Sequence, residues 1–212
     1  MSLMHKLRVV VLISGNGTNL QAIIDSCQQN SINAAVVAVI SNNPQAFGLE
    51  RAKQARIATA IINPKEFPAL LDHDKTLINT IDSFNPGLIV LAGYMRILST
   101  VIVKHYQGRL INIHPSLLPK YQGLHTYERA LAAGEKEHGT SVHFVTDILD
   151  GGPVIAQERV TILPDDTPES LALRTVTKEH QLYPKVIGWF AAGRLKLQDN
   201  QVYLDGQPCT LK

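Results

Sequence analysis

Short runs of apolar residues alternate along the chain with longer segments in which apolar residues recur every three or four positions. A continuous apolar run rich in Val and Ile is typical of a buried strand, whereas the longer spacing is typical of one face of a helix. The pattern predicts strands at residues 9–14, 34–40, 58–62, 88–92, 110–114, 140–145 and 154–160. It predicts helices at residues 19–28, 47–55, 67–84, 99–106, 126–133 and 168–191, and a weak hairpin at 195–204.

Strands that alternate with helices over short linkers predict an α/β, Rossmann-like three-layer fold. We expect a mostly parallel central sheet that becomes mixed toward the C-terminal half, within a single domain over residues 1–212. The two halves of this domain are expected to span residues 8–110 and 111–212. Ligands of such sheets bind at the carboxyl ends of strands, so the turns that follow strands are where a functional site is expected.

Composition narrows the class of protein. The 212 residues include 45% apolar and only 18% charged residues, which excludes global disorder. A net charge of +2 without a basic run does not predict nucleic-acid binding, and no stretch approaches the ~18 apolar residues of a membrane span. Cys27 and Cys209 form no metal-binding or disulfide spacing, so a reducing, cytoplasmic setting is expected.

A glycine-rich turn joins the first predicted strand to the first predicted helix, with the sequence Ser-Gly-Asn-Gly-Thr-Asn-Leu at residues 14–20. Glycines allow the backbone to approach a ligand closely, and free N–H groups at a helix start attract an anion. The turn matches neither the dinucleotide fingerprint nor the triphosphate loop, which favours a single phosphate. On this motif alone, a phosphate site and a plain glycine-rich turn are equally supported.

The predicted strand 110–114 carries Asn112 and His114, which lie two positions apart and therefore share a face. Pro115 ends the strand and places His114 at its carboxyl tip. An amide donor beside an imidazole is able to stabilise a developing oxyanion and to move a proton. A structural polar pair at a strand end is an equally supported alternative.

A third segment runs from a strand carrying His143 into a loop with Asp147 and Asp150, followed by Gly-Gly-Pro. Either aspartate is a candidate partner for His114. Such a carboxylate would orient the imidazole and raise its pKa. Turn formation alone is the better supported explanation of an aspartate before two glycines. We expect His143 to be a packed strand residue, because nothing in the sequence places a partner near it.

A metal site is not predicted, because the histidines show none of the usual ligand spacings. The polar segment Asp72-His73-Asp74 lies within a predicted helix and is expected to form a solvated face.

Four motifs in order make the chain resemble the folate-dependent formyltransferase family from residue 9 to about residue 193. They are the turn at 14–20, Ala-Gly-Tyr-Met-Arg-Ile-Leu at 92–98, Asn-Ile-His-Pro-Ser-Leu-Leu-Pro at 112–119 and Asp-Gly-Gly-Pro at 150–153. The resemblance implies transfer of a formyl group from the co-substrate 10-formyltetrahydrofolate to the amine of glycinamide ribonucleotide, without a metal. A hydrolase that passes the formyl group to water and a nucleotide-binding module without catalysis are the alternatives. The turn at 14–20 disfavours the hydrolase.

The resemblance also implies roles for individual residues. Half 8–110 would bind phosphate, and half 111–212 would be catalytic and bind folate. The substrate would be held by Gly17, Thr18 and Asn19 at its phosphate and by Glu179 near its ribose or glycinamide end. The catalytic residues would be Asn112, His114 and Asp150. The folate would be contacted by Met95, Arg96, Ile97, Leu98, Asn112, Thr146, Asp147, Ile148, Leu149 and Asp150. At Leu70 the family leads us to expect a basic residue facing the glutamate tail of the folate, and this chain has an apolar one.

Overall fold

The chain divides into two compact units, Met1–Ile111 and Asn112–Lys212, in a computed structural model that describes residues 6–209. The first five residues and the last three of the C-terminal tail lie outside the described residues. The division falls within the strand Leu110–His114, one residue from the boundary expected between the two halves.

The first unit is built on four parallel strands in the order β3-β2-β1-β4. These strands are β1 (Leu7–Ile13), β2 (Ala34–Ser41), β3 (Ala58–Ile61) and β4 (Leu88–Leu91). Strand β1 lies between two neighbours, with Val11 opposite both Val39 and Val90. Its residues 9–13 are fully buried, because a parallel sheet is covered on both faces.

The helices of this unit are α1 (Thr18–Gln28), α2 (Gly48–Gln54), α3 (Leu70–Ser83) and α4 (Thr100–His105), with a 3-10 turn at Pro64–Glu66. The Ser99 hydroxyl caps α4 by accepting the Ile102 N–H at 3.5 Å. All four helices lie where the sequence predicts them, within one to three residues at each end.

Helix α3 corrects the expectation of a solvated face at Asp72-His73-Asp74. His73 and Asp74 are both buried, and His73 Nδ1 lies 3.1 Å from Asp74 Oδ1. His73 belongs to the buried stripe of the helix with Leu77 and Ile81, at spacings of four. The carboxylate partner allows a histidine to occupy a core position.

The second unit begins within β5 (Leu110–His114) and contains an antiparallel pair, β6 (Glu137–Phe144) and β7 (Val154–Thr161). Its helices are α5 (Thr126–Ala132) and α6 (Pro168–Ala191), and α6 packs on both β6 and β7. A small sheet, β8 (Leu195–Gln198), β9 (Gln201–Leu204) and β10 (Gln207–Pro208), includes the predicted hairpin. Strand β6 begins three residues earlier than predicted.

Parallel strands in the first unit and an antiparallel pair in the second confirm the predicted α/β class and the change toward mixed pairing. Of the helices in the described part of the chain, none has the length and apolar character needed to cross a membrane.

Candidate active site

The second unit brings Asn112, His114 and Asp150 into one cluster. Strand β5 ends at His114, whose carbonyl accepts hydrogen bonds from Thr140 Oγ1 at 3.0 Å and from the Ser116 N–H at 2.9 Å. These bonds tie the strand tip to β6 and start the turn that follows. The side chain of His114 is thereby held on a backbone with little freedom.

Both ring nitrogens of His114 face oxygen atoms. Nε2 lies 2.9 Å from the Tyr121 carbonyl, and Nδ1 lies 3.3 Å from Asp150 Oδ2. A carbonyl only accepts hydrogen bonds, so Nε2 carries a proton and Nδ1 is the nitrogen that gains or loses one. His114 and Asp150, which are far apart in sequence, are in direct reach of each other.

Buried hydroxyls fix the turn that carries the Tyr121 carbonyl. The Ser141 hydroxyl donates to the Ser116 carbonyl at 2.6 Å, and the Ser116 hydroxyl donates to the Lys120 carbonyl at 2.6 Å. The Gln157 amide donates to Ser141 Oγ at 2.8 Å. Because each buried polar group has a partner, this network holds the turn in a single conformation. The sequence pattern assigns no role to these three residues.

Asp150 is held in place by its own loop. Its backbone has φ of 48°, a left-handed value that Asp and Asn adopt more readily than most residues. Its Oδ2 accepts the Gly123 N–H at 3.0 Å. Two residues later, a Cβ on Gly152 would lie 1.8 Å from the Phe144 carbonyl oxygen, so only glycine fits there. Asp147 is exposed, which leaves Asp150 as the aspartate that the structure places beside His114.

The protonation states of this pair follow from burial and contacts. Burial alone raises the pKa of the Asp150 carboxyl, but His143, the Gly123 N–H and His114 together hold it below its usual range. Burial lowers the pKa of the His114 imidazole and outweighs the Tyr121 carbonyl and the Asp150 charge, which raise it. The raised pKa expected for His114 is therefore wrong. The two shifts favour an ionised Asp150 beside a neutral His114, so that Nδ1 and Oδ2 are able to share one incoming proton.

His143 corrects the expectation that it has no partner. Its Nδ1–H donates to the Phe144 carbonyl at 2.9 Å, so Nε2 accepts from the Asn112 amide at 3.2 Å. The same Nε2 lies 3.7 Å from Asp150 Oδ1, beyond hydrogen-bond distance. His143 thus orients Asn112 and leaves the second N–H of the amide for a ligand.

Glu179 lies on α6 in the same unit and is buried. Burial raises the pKa of the Tyr127 hydroxyl, and the charge of Glu179 raises it further, which places Glu179 near α5. Nearby in sequence to Asp150, Ile148 and Leu149 are exposed apolar residues of the loop at 146–150. Their proposed contacts with substrates stay predictions.

In the first unit, the turn at 15–19, called the anion loop below, leads into the N-terminus of α1. Gly17 caps α1 with φ of 75°, and a Cβ on it would lie 2.8 Å from Gly48 Cα. Gly17 is therefore required both by its conformation and by the close approach of α2. The N-terminus of an α-helix presents N–H groups that favour an anion. The role of Thr18 and Asn19 in binding it stays a prediction.

The loop at 93–98, also in the first unit, is tied to the end of β1. Ser14 Oγ accepts the Met95 N–H at 2.7 Å and donates to Asn42 Oδ1 at 2.6 Å. Met95 and Ile97 are 72% and 73% exposed, which is unusual for large apolar residues on a fixed loop and is typical of a ligand surface.

Within residues 6–209, no three His, Cys, Asp or Glu side chains are grouped so as to hold a metal ion.

Comparisons with known proteins agree on one family. A family model described as formyl transferase matches residues 7–187. The phosphoribosylglycinamide formyltransferase of Escherichia coli K12 is 57% identical over 201 residues, which are 95% of each chain. A solved structure of phosphoribosylglycinamide formyltransferase from Coxiella burnetii, in complex with CHES, has a TM-score of 0.94 at 60% identity and covers 97% of this chain and 96% of that one. The trifunctional purine biosynthetic protein adenosine-3 of Drosophila melanogaster is 48% identical over 188 residues, 88% of this chain and 14% of that protein.

Proposed function

The chain belongs to the formyl transferase family, and from that premise we propose that it transfers a formyl group from 10-formyltetrahydrofolate to the primary amine of glycinamide ribonucleotide in purine biosynthesis. The observation that carries the proposal is the contact between His114 Nδ1 and Asp150 Oδ2, with Asn112 oriented beside them. A direct transfer needs an oxyanion donor and a proton relay but no protein nucleophile. This cluster supplies both.

The proposed chemistry follows from the charges of the reacting groups. The amine attacks the formyl carbon, the carbonyl oxygen becomes an oxyanion, and the amine must lose a proton. The free N–H of Asn112 would stabilise the oxyanion. Ionised Asp150 would take the amine proton through a water and share it with Nδ1 of His114. The resulting imidazolium would stabilise the oxyanion and help protonate N10, which leaves poorly as an anion.

Substitution of the capping glycine tests the phosphate loop. Gly17→Val should raise the KM for the ribonucleotide, because the side chain meets Gly48 Cα at 2.8 Å and valine disfavours φ of 75°. The KM for the folate should stay close to the wild-type value, measured by initial rates with each substrate varied. Gly15→Ala is the control for loss of flexibility, since a Cβ there has no neighbour within 4 Å. An unchanged ribonucleotide KM in Gly17→Val would place the phosphate elsewhere.

The folate contacts are tested separately in each unit. A non-reactive folate analogue should slow amide hydrogen exchange at residues 95–98 and at residues 146–150. Both segments follow strands and carry exposed apolar side chains that a pterin ring would cover. Protection of one segment without the other would contradict the assignment of the unprotected segment.

The activity itself is tested by the absorbance change that accompanies folate turnover, recorded with and without glycinamide ribonucleotide. Turnover that requires the ribonucleotide is the expected result. Turnover in its absence would identify the hydrolase, and ribonucleotide binding without turnover would identify the binding module.

We place the reaction in the cytoplasm, where the unpaired thiols of Cys27 and Cys209 would stay reduced.

A further inference from the structure

Arg51 on α2 makes its side-chain hydrogen bonds to the anion loop and to the helix that follows it. Its Nε donates to the Asn16 carbonyl at 2.8 Å, and one terminal nitrogen donates to Asn16 Oδ1 at 3.0 Å. The other terminal nitrogen lies 3.4 Å from Gln21 Oε1 on α1. The guanidinium lies over the Phe47 ring, 5.0 Å from its centre. This stacking limits the positions that the guanidinium group is able to adopt.

The bond to the Asn16 carbonyl controls the direction of a neighbouring donor. In a trans peptide the carbonyl of one residue and the N–H of the next point in opposite directions. By holding the Asn16 carbonyl toward α2, Arg51 turns the Gly17 N–H away from α2. A donor on the carbonyl also polarises the peptide, so the Gly17 N–H becomes a stronger donor itself.

The charge of Arg51 adds to this effect. Its three acceptors are neutral amide oxygens, so these contacts leave the positive charge unneutralised. By contrast, Lys53 on the same helix is paired with Glu50 at 2.7 Å. A positive charge in contact with the loop favours the binding of a phosphate dianion. This electrostatic effect extends over about a Debye length, ~8–10 Å in ordinary salt.

We propose that Arg51 is a positioning residue for the substrate phosphate: it orients the Gly17 N–H and supplies a positive charge next to the anion loop. The proposal rests on the proposed function, in which the loop at 15–19 holds the phosphate of glycinamide ribonucleotide. Arg51 itself has no assigned contact with a substrate. It acts through Asn16 and Gly17.

Steady-state kinetics separate this role from a general effect on folding. Arg51→Met removes both the hydrogen bonds of the guanidinium and its charge. The KM for the ribonucleotide should therefore rise about tenfold or more, the loss expected for one charge-assisted hydrogen bond. Arg51→Lys keeps the charge and should show a smaller rise. The kcat and the folate KM should stay near the wild-type values in both variants. Lys53→Met is the matched control and should leave all three parameters unchanged.

A direct binding measurement distinguishes failure of this proposal from failure of the proposed function. Inorganic phosphate is titrated into the wild type and Arg51→Lys while the amide resonances of residues 17–19 are followed by NMR. We expect saturable chemical-shift changes in the wild type and a higher Kd for phosphate in Arg51→Lys. Lys53→Met should bind phosphate with the Kd of the wild type. Equal affinities would overturn the role of Arg51 and leave the loop assignment intact. Absence of shifts at 17–19 in the wild type would overturn the loop assignment and this proposal together.

Discussion

Asp150→Asn should lower kcat by about a hundredfold or more while both substrates still bind, because the carboxylate acts mainly in proton transfer. Asparagine has nearly the same shape and tolerates the left-handed backbone at this position, so the change is limited to the charge and the basicity. Asp147→Asn is the matched control, since Asp147 lies in the same loop but is exposed. Initial rates and separately measured substrate affinities check the prediction. A nearly active Asp150→Asn protein would reduce Asp150 to a turn residue.

The pairing with His114 is tested by a double-mutant cycle on kcat. Because the two side chains are in contact at 3.3 Å and act together in the proposed proton transfer, removing the second should cost little after the first is gone. The double variant Asp150→Asn with His114→Ala should therefore be about as slow as the slower single variant. Additive losses would show that the two residues act independently.

The pH titration of His114 gives an independent measure of the same contact. In the wild type, NMR should show a His114 pKa below its usual value of 6.5, because burial outweighs the neighbouring acceptors. The charge of Asp150 raises that pKa, so Asp150→Asn should lower it further. A His114 pKa that is unchanged in Asp150→Asn would contradict the contact or the ionised state of Asp150.

Asn112→Ala should lower kcat by a factor of about 100 to 1000, equivalent to roughly 3–4 kcal/mol in the barrier, the usual cost of removing one oxyanion donor. The substrate affinities should change far less, since the donor acts on charge that develops during the reaction. Initial rates under saturating substrates measure this loss. His143→Leu is the comparison variant, because it removes the acceptor that orients the amide but keeps the amide itself.

The His143→Leu protein should therefore lose less activity than Asn112→Ala. Thermal unfolding of both variants controls for stability. Asn112→Ala leaves Nε2 of His143 without its donor, and His143→Leu leaves the Asn112 amide and the Phe144 carbonyl without their partner. Equal losses in the two variants would mean that the Asn112 amide contributes to the rate only when His143 orients it. An Asn112→Ala protein with wild-type kcat would contradict the oxyanion assignment.

The elements and the pairing of Asn112 with His114 were predictable because both depend on local patterns. The spacing of two between Asn112 and His114, with Pro115 after them, was enough to place both at a strand tip. Local pattern left Asp147 and Asp150 as alternatives, and only the resemblance to the formyltransferase family pointed to Asp150. Element boundaries shifted by at most three residues, the largest shifts being at the starts of α3 and β6. Strand β6 starts early because Glu137 and His138 extend it without an apolar pattern.

The errors concern burial and contacts with distant segments, which the type of a single residue does not reveal. His73 was expected in water, although it stands four residues before Leu77 and eight before Ile81, a spacing that belongs to the buried stripe. The partners of His143 lie on other segments and become visible only once β5 and the loop at 146–150 are placed. The pKa of His114 was expected from the charge of Asp150 alone, and desolvation reverses its direction.

The acceptor for Nε2 of His114 is a backbone carbonyl, and this makes the site robust against mutation. Every amino acid at position 121 carries that oxygen, so no single-codon change there removes the acceptor as long as the turn keeps its course. A side-chain carboxylate in its place would be lost by substitution and would itself take up a proton in acid. The imidazole tautomer is thus set by a group that does not titrate and that every residue at position 121 carries. Substitutions affect it only if they move the turn, and otherwise act on His114 through the residues around Nδ1.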